Sequence, residues 1–420
     1  MKKLLILILL IVRMSSLSAQ QPVAKYDESK VPVYTLPDPL VFNDGSKVTN
    51  KNEWNKRRAE ILQLFKNDVY GISPDWHGKL KVSEISRNEN ALNGLAVRKE
   101  IKLALINGNK ELDIVMLLYL PHSAKPVPVF IGYNFGGNHS VTDEPDIAIT
   151  TSWMRNNAVN GISEHKATEA GRGKAASSWQ VKEIISRGYG LATIYYGDVD
   201  PDYDDGFKNG VHSLYDQRRD GSSWGSIAAW AWGLSRAMDY LETDHAVDAK
   251  KVIVMGHSRL GKTSLWAGAI DKRFAIVISN DSGYGGAALS RRIFGETVGD
   301  MNRSFPHWYC DNFKKYNEKE ENLPVDQHEL IALIAPRPVY VASAEQDLWS
   351  DPKGEFLSCV AASPVYVLLG KDGFPAKEMP AINSPITGSI GYHIRTGVHD
   401  VTLYDWQRYL DFADYHLKRE

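Results

Sequence analysis

The run Val252-Ile-Val-Met-Gly-His-Ser258-Arg-Leu-Gly-Lys262 decides the reading of this chain. Residues 252–255 are apolar and suit a buried strand, and they feed directly into a Gly-His-Ser-Arg turn. An amphipathic segment over 263–270 follows at once. A serine on a sharp strand-to-helix turn is lifted out of the sheet with helix N-terminal amides beside its hydroxyl, the geometry that a nucleophilic serine needs. The match to Gly-x-Ser-x-Gly is imperfect, because Leu260 stands where the second glycine belongs and Gly261 follows. A serine that merely caps the helix is the competing reading of the same residues.

Outward from this turn the pattern alternates. Upstream, the spacing of Trp54, Ile61, Leu62 and Phe65 predicts a helix over 52–67, residues 79–120 read as hairpin strands, and 127–132 reads as a buried strand. Helices are expected over 178–187 and 225–241, with a strand at 190–196 between them. Downstream, strands at 275–279, 338–343 and 390–394 alternate with helices at 327–334 and 404–417. Strands alternating with helices imply an α/β architecture, a mostly parallel sheet with helices on both faces in three layers. The Ser258 turn then lies at the carboxyl end of a strand, where such sheets place their chemistry. Residues 139–175 are polar, weakly periodic and too long for an ordinary connection, and are read as an inserted surface region near the active site.

The chain has 420 residues, 43% of them hydrophobic and 24% charged, with a formal net charge of −2. Such a chain is long enough for one large catalytic domain, here assigned to 20–420, and offers no basic face for nucleic acid or anionic membrane. Met1-Lys-Lys, the apolar run 4–12 and the small polar residues 15–19 describe a signal peptide over 1–19. Arg13 cuts the apolar run below bilayer-spanning length, so a secreted or periplasmic protein is expected rather than an anchored one. A monomer is expected. Cys310 and Cys359, with no histidine pair nearby, make a poor zinc site, and neither metal nor organic cofactor is expected. The acidic run Asp198-Val-Asp-Pro-Asp-Tyr-Asp-Asp-Gly206 fails the glycine and glutamate positions of a calcium loop, and is read as a solvated turn.

A serine nucleophile needs a base to take its proton and an acid to hold that base in the right tautomer. In α/β-hydrolases the order along the chain is serine, acid, histidine. His399, in a glycine-containing loop after the last expected strand, suits the base. Two acids compete, since Asp347 and Asp281 each follow a strand. His257, beside the serine on a tight turn, is read as structural.

With these residues in view, the chain resembles the glucuronoyl esterases, carbohydrate esterase family fifteen, and looks most like their bacterial branch. The resemblance runs from about Leu36 to the C-terminus. It rests on Gly-His-Ser-Arg-Leu-Gly-Lys262, Asn280-Asp-Ser-Gly-Tyr-Gly-Gly-Ala-Ala288, Phe305-Pro-His-Trp-Tyr309 and His328-Glu-Leu-Ile-Ala-Leu-Ile-Ala-Pro-Arg-Pro338. It implies an α/β-hydrolase fold and cleavage of the ester between lignin alcohols and 4-O-methyl-glucuronic acid groups of glucuronoxylan. It also implies Ser258 as nucleophile, His399 as base, Arg259 in the oxyanion hole, Lys262 and Glu296 on the sugar hydroxyls, and Trp349 bordering the sugar. Apart from the resemblance, these last three read as a surface lysine, a helix carboxylate and a packing tryptophan. Asp281 stands where many members have glutamate, which favours Asp347 as the working acid. Tyr284 stands where a cysteine is expected in many bacterial relatives, which leaves Cys310 without that partner and predicts a free thiol. Another carbohydrate esterase, such as an acetylxylan esterase, and a non-catalytic glycan-binding protein are the rival readings.

Overall fold

The computed structural model describes residues 25–216 and 218–418, so the expected signal peptide lies outside the described residues. Eleven strands occur among them. They are β1 (Lys79–Asn90), β2 (Ala96–Asn107), β3 (Lys110–Pro121), β4 (Val127–Asn134), β5 (Ile162–Ser163), β6 (Lys166–Ala167), β7 (Gly190–Tyr195), β8 (Val247–His257), β9 (Ile276–Asn280), β10 (Val339–Ala344) and β11 (Ile390–Arg395). Nine form one sheet in the order β1-β2-β3-β7-β4-β8-β9-β10-β11, while β5 and β6 make a separate two-residue ladder. The first three strands and the β3–β7 pair are antiparallel, and every pair from β7 to β11 is parallel. This is the α/β-hydrolase fold.

Composition explains which strands lie inside. Strands β7, β9, β10 and β11 are buried along their whole length, as expected of parallel strands covered on both faces. Strand β1 is largely exposed and carries Lys79, Lys81, Glu84 and Arg87, charges that discourage edge-to-edge pairing. One face of the sheet is covered by the helices Lys51–Asp68, Ser226–Leu241, Arg259–Ile270 and Pro352–Leu368, which bury Trp54, Trp230, Trp266 and Tyr366. The other is covered by Val181–Ser186 and Leu403–Leu417, where Trp406 meets Phe130 edge-on at 5.4 Å between ring centroids. Each fully buried side chain of this size contributes on the order of 2–3 kcal/mol.

The expected helix at 178–187 is broken in two, because Gln180 adopts φ 46° between Ala176–Trp179 and Val181–Ser186. The helix Pro352–Leu368 has no counterpart in the sequence reading. It is apolar on most sides and contains Pro364, so it lacks a one-faced stripe. Residues 139–175 hold only short turns and the β5–β6 ladder, yet they are firmly tied. Arg172 donates to the carbonyls of Glu144 and Ile147, and Ser152 and Thr150 donate to the buried Asp198. Cys310 and Cys359 are both free and buried, and burial pushes the Cys310 thiol up to about 12. No helix among the described residues is long and apolar enough to cross a membrane.

Candidate active site

Strand β8 ends at His257 and the helix Arg259–Ile270 begins two residues later, so Ser258 alone makes the turn. Its backbone sits at φ 57°, ψ −129°, a conformation that costs a non-glycine residue about 1–3 kcal/mol and needs outside support. Support comes from the Ser258 N–H donating to the Asn280 carbonyl at 2.9 Å, and from the Gly261 and Lys262 N–H groups donating to the Ser258 carbonyl at 2.8 and 3.1 Å. The Ser258 side chain makes no capping hydrogen bond, which disposes of the helix-cap reading. The irregular motif also has a cause. A Cβ on Gly256 would collide with the Leu260 carbonyl, and one on Gly261 would lie 2.9 Å from Ser282 Cβ. Close approach therefore demands glycine at 256 and 261, while position 260 takes a buried leucine.

The acid and the base come from the ends of β10 and β11. His399 Nδ1 lies 2.6 Å from Asp347 Oδ2. Burial alone would raise the Asp347 carboxyl, but its hydrogen bond with His399 and the nearby ring outweigh this and hold it below its ordinary value. The loop carrying His399 is clamped by Arg395, whose Nη2 donates to the carbonyls of Val398 (3.0 Å) and Asp400 (2.5 Å) while its Nε bonds Asp405 at 2.8 Å. Asp281 ends up differently. It is buried, neither carboxylate oxygen has a hydrogen-bond partner among the described residues, and its nearest cation, Arg395 Nη2, stands at 3.6 Å. Burial, then Glu355 and Asp347, push its pKa well above the ordinary value. Asp281, Asp347 and His399 have atoms within 4.8 Å of one another, close enough to hold a metal ion, but the His399–Asp347 bond already joins two of the three donors.

His257 packs its ring against His399 at 4.4 Å between centroids and meets Asn280 Oδ1 through Nδ1 at 2.5 Å. Burial, then the neighbouring His399, lowers its pKa to about 3, so it stays neutral.

Arg259 opens the helix, where its N–H has no carbonyl one turn earlier to bond. Its Nη1 is paired with Asp202 Oδ2, and its guanidinium stands over Trp308 at 4.7 Å and Phe305 at 5.4 Å from the ring centroids. Asp202 also accepts from Tyr196 Oη (3.0 Å), Trp308 Nε1 (2.7 Å) and His307 Nε2 (2.9 Å). Burial opposes ionisation of Asp202, yet these donors, with His307 and Arg259 foremost, hold its carboxyl below the ordinary range. Arg259 Nε is buried without a partner. The acidic run is thus no solvated turn: Asp198, Asp200 and Asp202 are all buried. Apart from Tyr196 and His212, their partners come from residues 150–152, 259 and 307–308, far along the chain, and nothing in the run itself announces them.

Lys262 is 3% exposed, not a surface lysine. Its Nζ donates to the Ser282 carbonyl at 2.6 Å and to Glu296 Oε2 at 3.1 Å. Trp349 Nε1 donates to the other Glu296 oxygen, and the Glu296 N–H donates to the Trp349 carbonyl at 3.0 Å. Ser258, Arg259 and His399 open on a cleft of about 520 Å³ that is also lined by Arg155, Asn157 and Lys174 from the inserted region. Lys262, Glu296 and Trp349 are not among its walls and form a separate polar cluster.

The comparisons with known proteins meet this geometry. Residues 178–370 match a family model described as glucuronyl esterase, fungi. The carbohydrate esterase MZ0003, from an unknown prokaryotic organism, is 53% identical over 398 residues, covering 93% of this chain and 92% of that protein. A solved family-15 carbohydrate esterase from a marine bacterial metagenome is 53% identical, over 94% of this chain and all of that one, with a TM-score of 0.89. The chain belongs to carbohydrate esterase family 15. A solved glucuronoyl esterase from Solibacter usitatus superposes with a TM-score of 0.88 at 48% identity, over 93% of this chain and all of that one. The 4-O-methyl-glucuronoyl methylesterase of Schizophyllum commune is 28% identical, covering 80% of this chain and 74% of that protein.

In this family-15 esterase the structure brings Ser258 and Arg259 to one cleft with His399, and His399 into contact with Asp347. It joins Lys262 and Trp349 each to Glu296 and leaves Asp281 beside the His399–Asp347 pair without a bond to it. Sequence reasoning missed Asp202 and gave no role to His307 and Trp308. The available signal was the coincidence of an aspartate just after a buried strand with a His-Trp pair in a matching segment.

Proposed function

We propose that this esterase hydrolyses esters of 4-O-methyl-glucuronic acid side groups on glucuronoxylan, releasing lignin-type alcohols. The observation that carries the reading is the His399–Asp347 hydrogen bond opening on the same cleft as the strained Ser258, with Arg259 fixed beside it by Asp202. Ser258 Oγ attacks the uronate carbonyl and His399 takes its proton. The tetrahedral intermediate carries a full negative charge, and the Arg259 peptide N–H and guanidinium are the donors that meet it. A preorganised donor of this kind is worth about 2.7–4 kcal/mol in the transition state. His399 then protonates the departing alkoxide, and water attacks the glucuronoyl-enzyme with His399 again as base.

The acyl part lies over Lys262, Glu296 and Trp349, whose ammonium, carboxylate and indole suit a hydroxylated ring, and the alcohol leaves toward the cleft. An acetyl group would leave that cluster with nothing to bind, which argues against an acetylxylan esterase. The apolar leader at 4–12 supports export, where plant cell-wall polymer is met. The deciding experiment measures release of benzyl alcohol from benzyl glucuronate beside release of acetate from acetylated xylan. Turnover of the first alone, abolished by Ser258→Ala, is expected; preferential release of acetate would sink the assignment.

A further inference from the structure

Residues 25–30 form a strap that the proposed mechanism does not use. The Lys25 carbonyl accepts from the Gly295 N–H at 2.9 Å, so strap and residue 295 make an antiparallel bridge. Glu28 accepts from Arg292 Nη2 at 2.6 Å and from Lys353 Nζ at 2.9 Å, and Arg292 is itself bonded to Asp351 at 2.8 Å. Gly295, at φ 67°, precedes Glu296, and a Cβ there would collide with the Trp349 carbonyl. The strap is therefore stitched to the segment that presents Glu296 and Trp349.

Between its anchors the strap carries Tyr26. The ring packs at 6.1 Å and 60° against Phe294, which fixes its base, yet the residue remains 47% exposed and its hydroxyl bonds no described residue. Partial burial, then the Asp347 and Glu296 carboxylates, raise the phenol's pKa, in keeping with the bridge that ties the strap beside Glu296. An anchored, half-exposed aromatic with a free donor beside a carboxylate–indole pair is what a pyranose needs, since its C–H face packs on a ring and its hydroxyls take hydrogen bonds.

We propose that the strap forms the outer wall of the acyl side of the site and that Tyr26 is a further substrate-binding residue for the uronosyl ring. The inference rests on the glucuronoyl esterase reading. The strap lies beyond the expected cleavage point at residue 19, so the mature chain keeps it.

The test is steady-state kinetics of the full mature chain on benzyl glucuronate for Tyr26→Ala and Tyr26→Phe, with Tm measured in parallel. Tyr26 binds ground state and transition state alike, so Tyr26→Ala raises KM about five-fold with kcat within about two-fold of the parent, and Tyr26→Phe raises KM by less. A purely structural strap would lower Tm and leave KM in place, and that result overturns the proposal. Should Tyr26→Ala fail to fold, the Tyr26→Phe KM decides alone, an unchanged value counting against the hydroxyl contact. Parent enzyme inert on benzyl glucuronate overturns the esterase reading itself, an outcome distinct from active variants with unaltered KM.

Discussion

Asp347 and Asp281 leave neighbouring parallel strands, β10 and β9, at the same end of the sheet, and both lie within 4.8 Å of His399. Their environments part them. Asp347 bonds His399 at 2.6 Å and is held ionised by that contact, whereas Asp281 is walled in beside Glu355 and Asp347, its carboxylate bonds no described residue, and it is pushed toward its neutral form. Proximity to the histidine is thus not enough to make a triad acid. The hydrogen bond must exist, and the carboxylate must be charged when the imidazolium forms.

The comparison can be broken most forcefully by exchanging each carboxylate for its amide. Asp347→Asn is expected to lower kcat on benzyl glucuronate by about 10³–10⁴-fold, because the amide no longer enforces the productive tautomer. Next in size, Arg259→Met removes the cation at the cleft and is expected to cost about 10²–10³ in kcat. It also strands Asp202 without its main cation, so an accompanying loss of stability is expected in thermal unfolding. Asp281→Asn should cost less than about ten-fold in kcat. A loss matching that of Asp347→Asn would mean that the two acids share the work.

The smallest effect is the sharpest in sign. The folded pKa of Asp347 is depressed, so its contribution to stability is in place above the unfolded value of about 3.9 and is lost as pH falls through the folded one. The folded pKa of Asp281 is raised, so it weakens folding progressively as pH rises above about 3.9 toward the folded value. Hence the Tm deficit of Asp347→Asn is expected to shrink on acidification. For Asp281→Asn a Tm gain over the parent is expected to grow as pH rises from about 3.9 toward the raised folded value. Parallel pH trends in the two variants would erase the distinction drawn between them.

Much of this was legible in the chain. Alternating apolar runs announced the parallel sheet, and the order serine, acid, histidine singled out Ser258 and His399 with two candidate acids, Asp281 and Asp347. Periodicity could not choose between the two acids, because the choice depends on the loop conformation after each strand: Asp281 sits at φ 44°, and Asp347 opens a short helical turn. Nor could it find the burial of Asp202, whose four partners are Tyr196, Arg259, His307 and Trp308. Only Tyr196 is near in sequence. The helix Pro352–Leu368 escaped for a different reason, since an element apolar on most sides leaves no stripe to detect. Lys262 shows the converse: its residue type argued for the surface, and its helix position beneath the Ser282 loop put it inside.

The Asp202 contacts carry one further consequence. The guanidinium of Arg259 is aligned by its own protein neighbours before any ester enters, so no part of the substrate must be spent on orienting it. A donor held in this way meets developing negative charge without having to reorganise first.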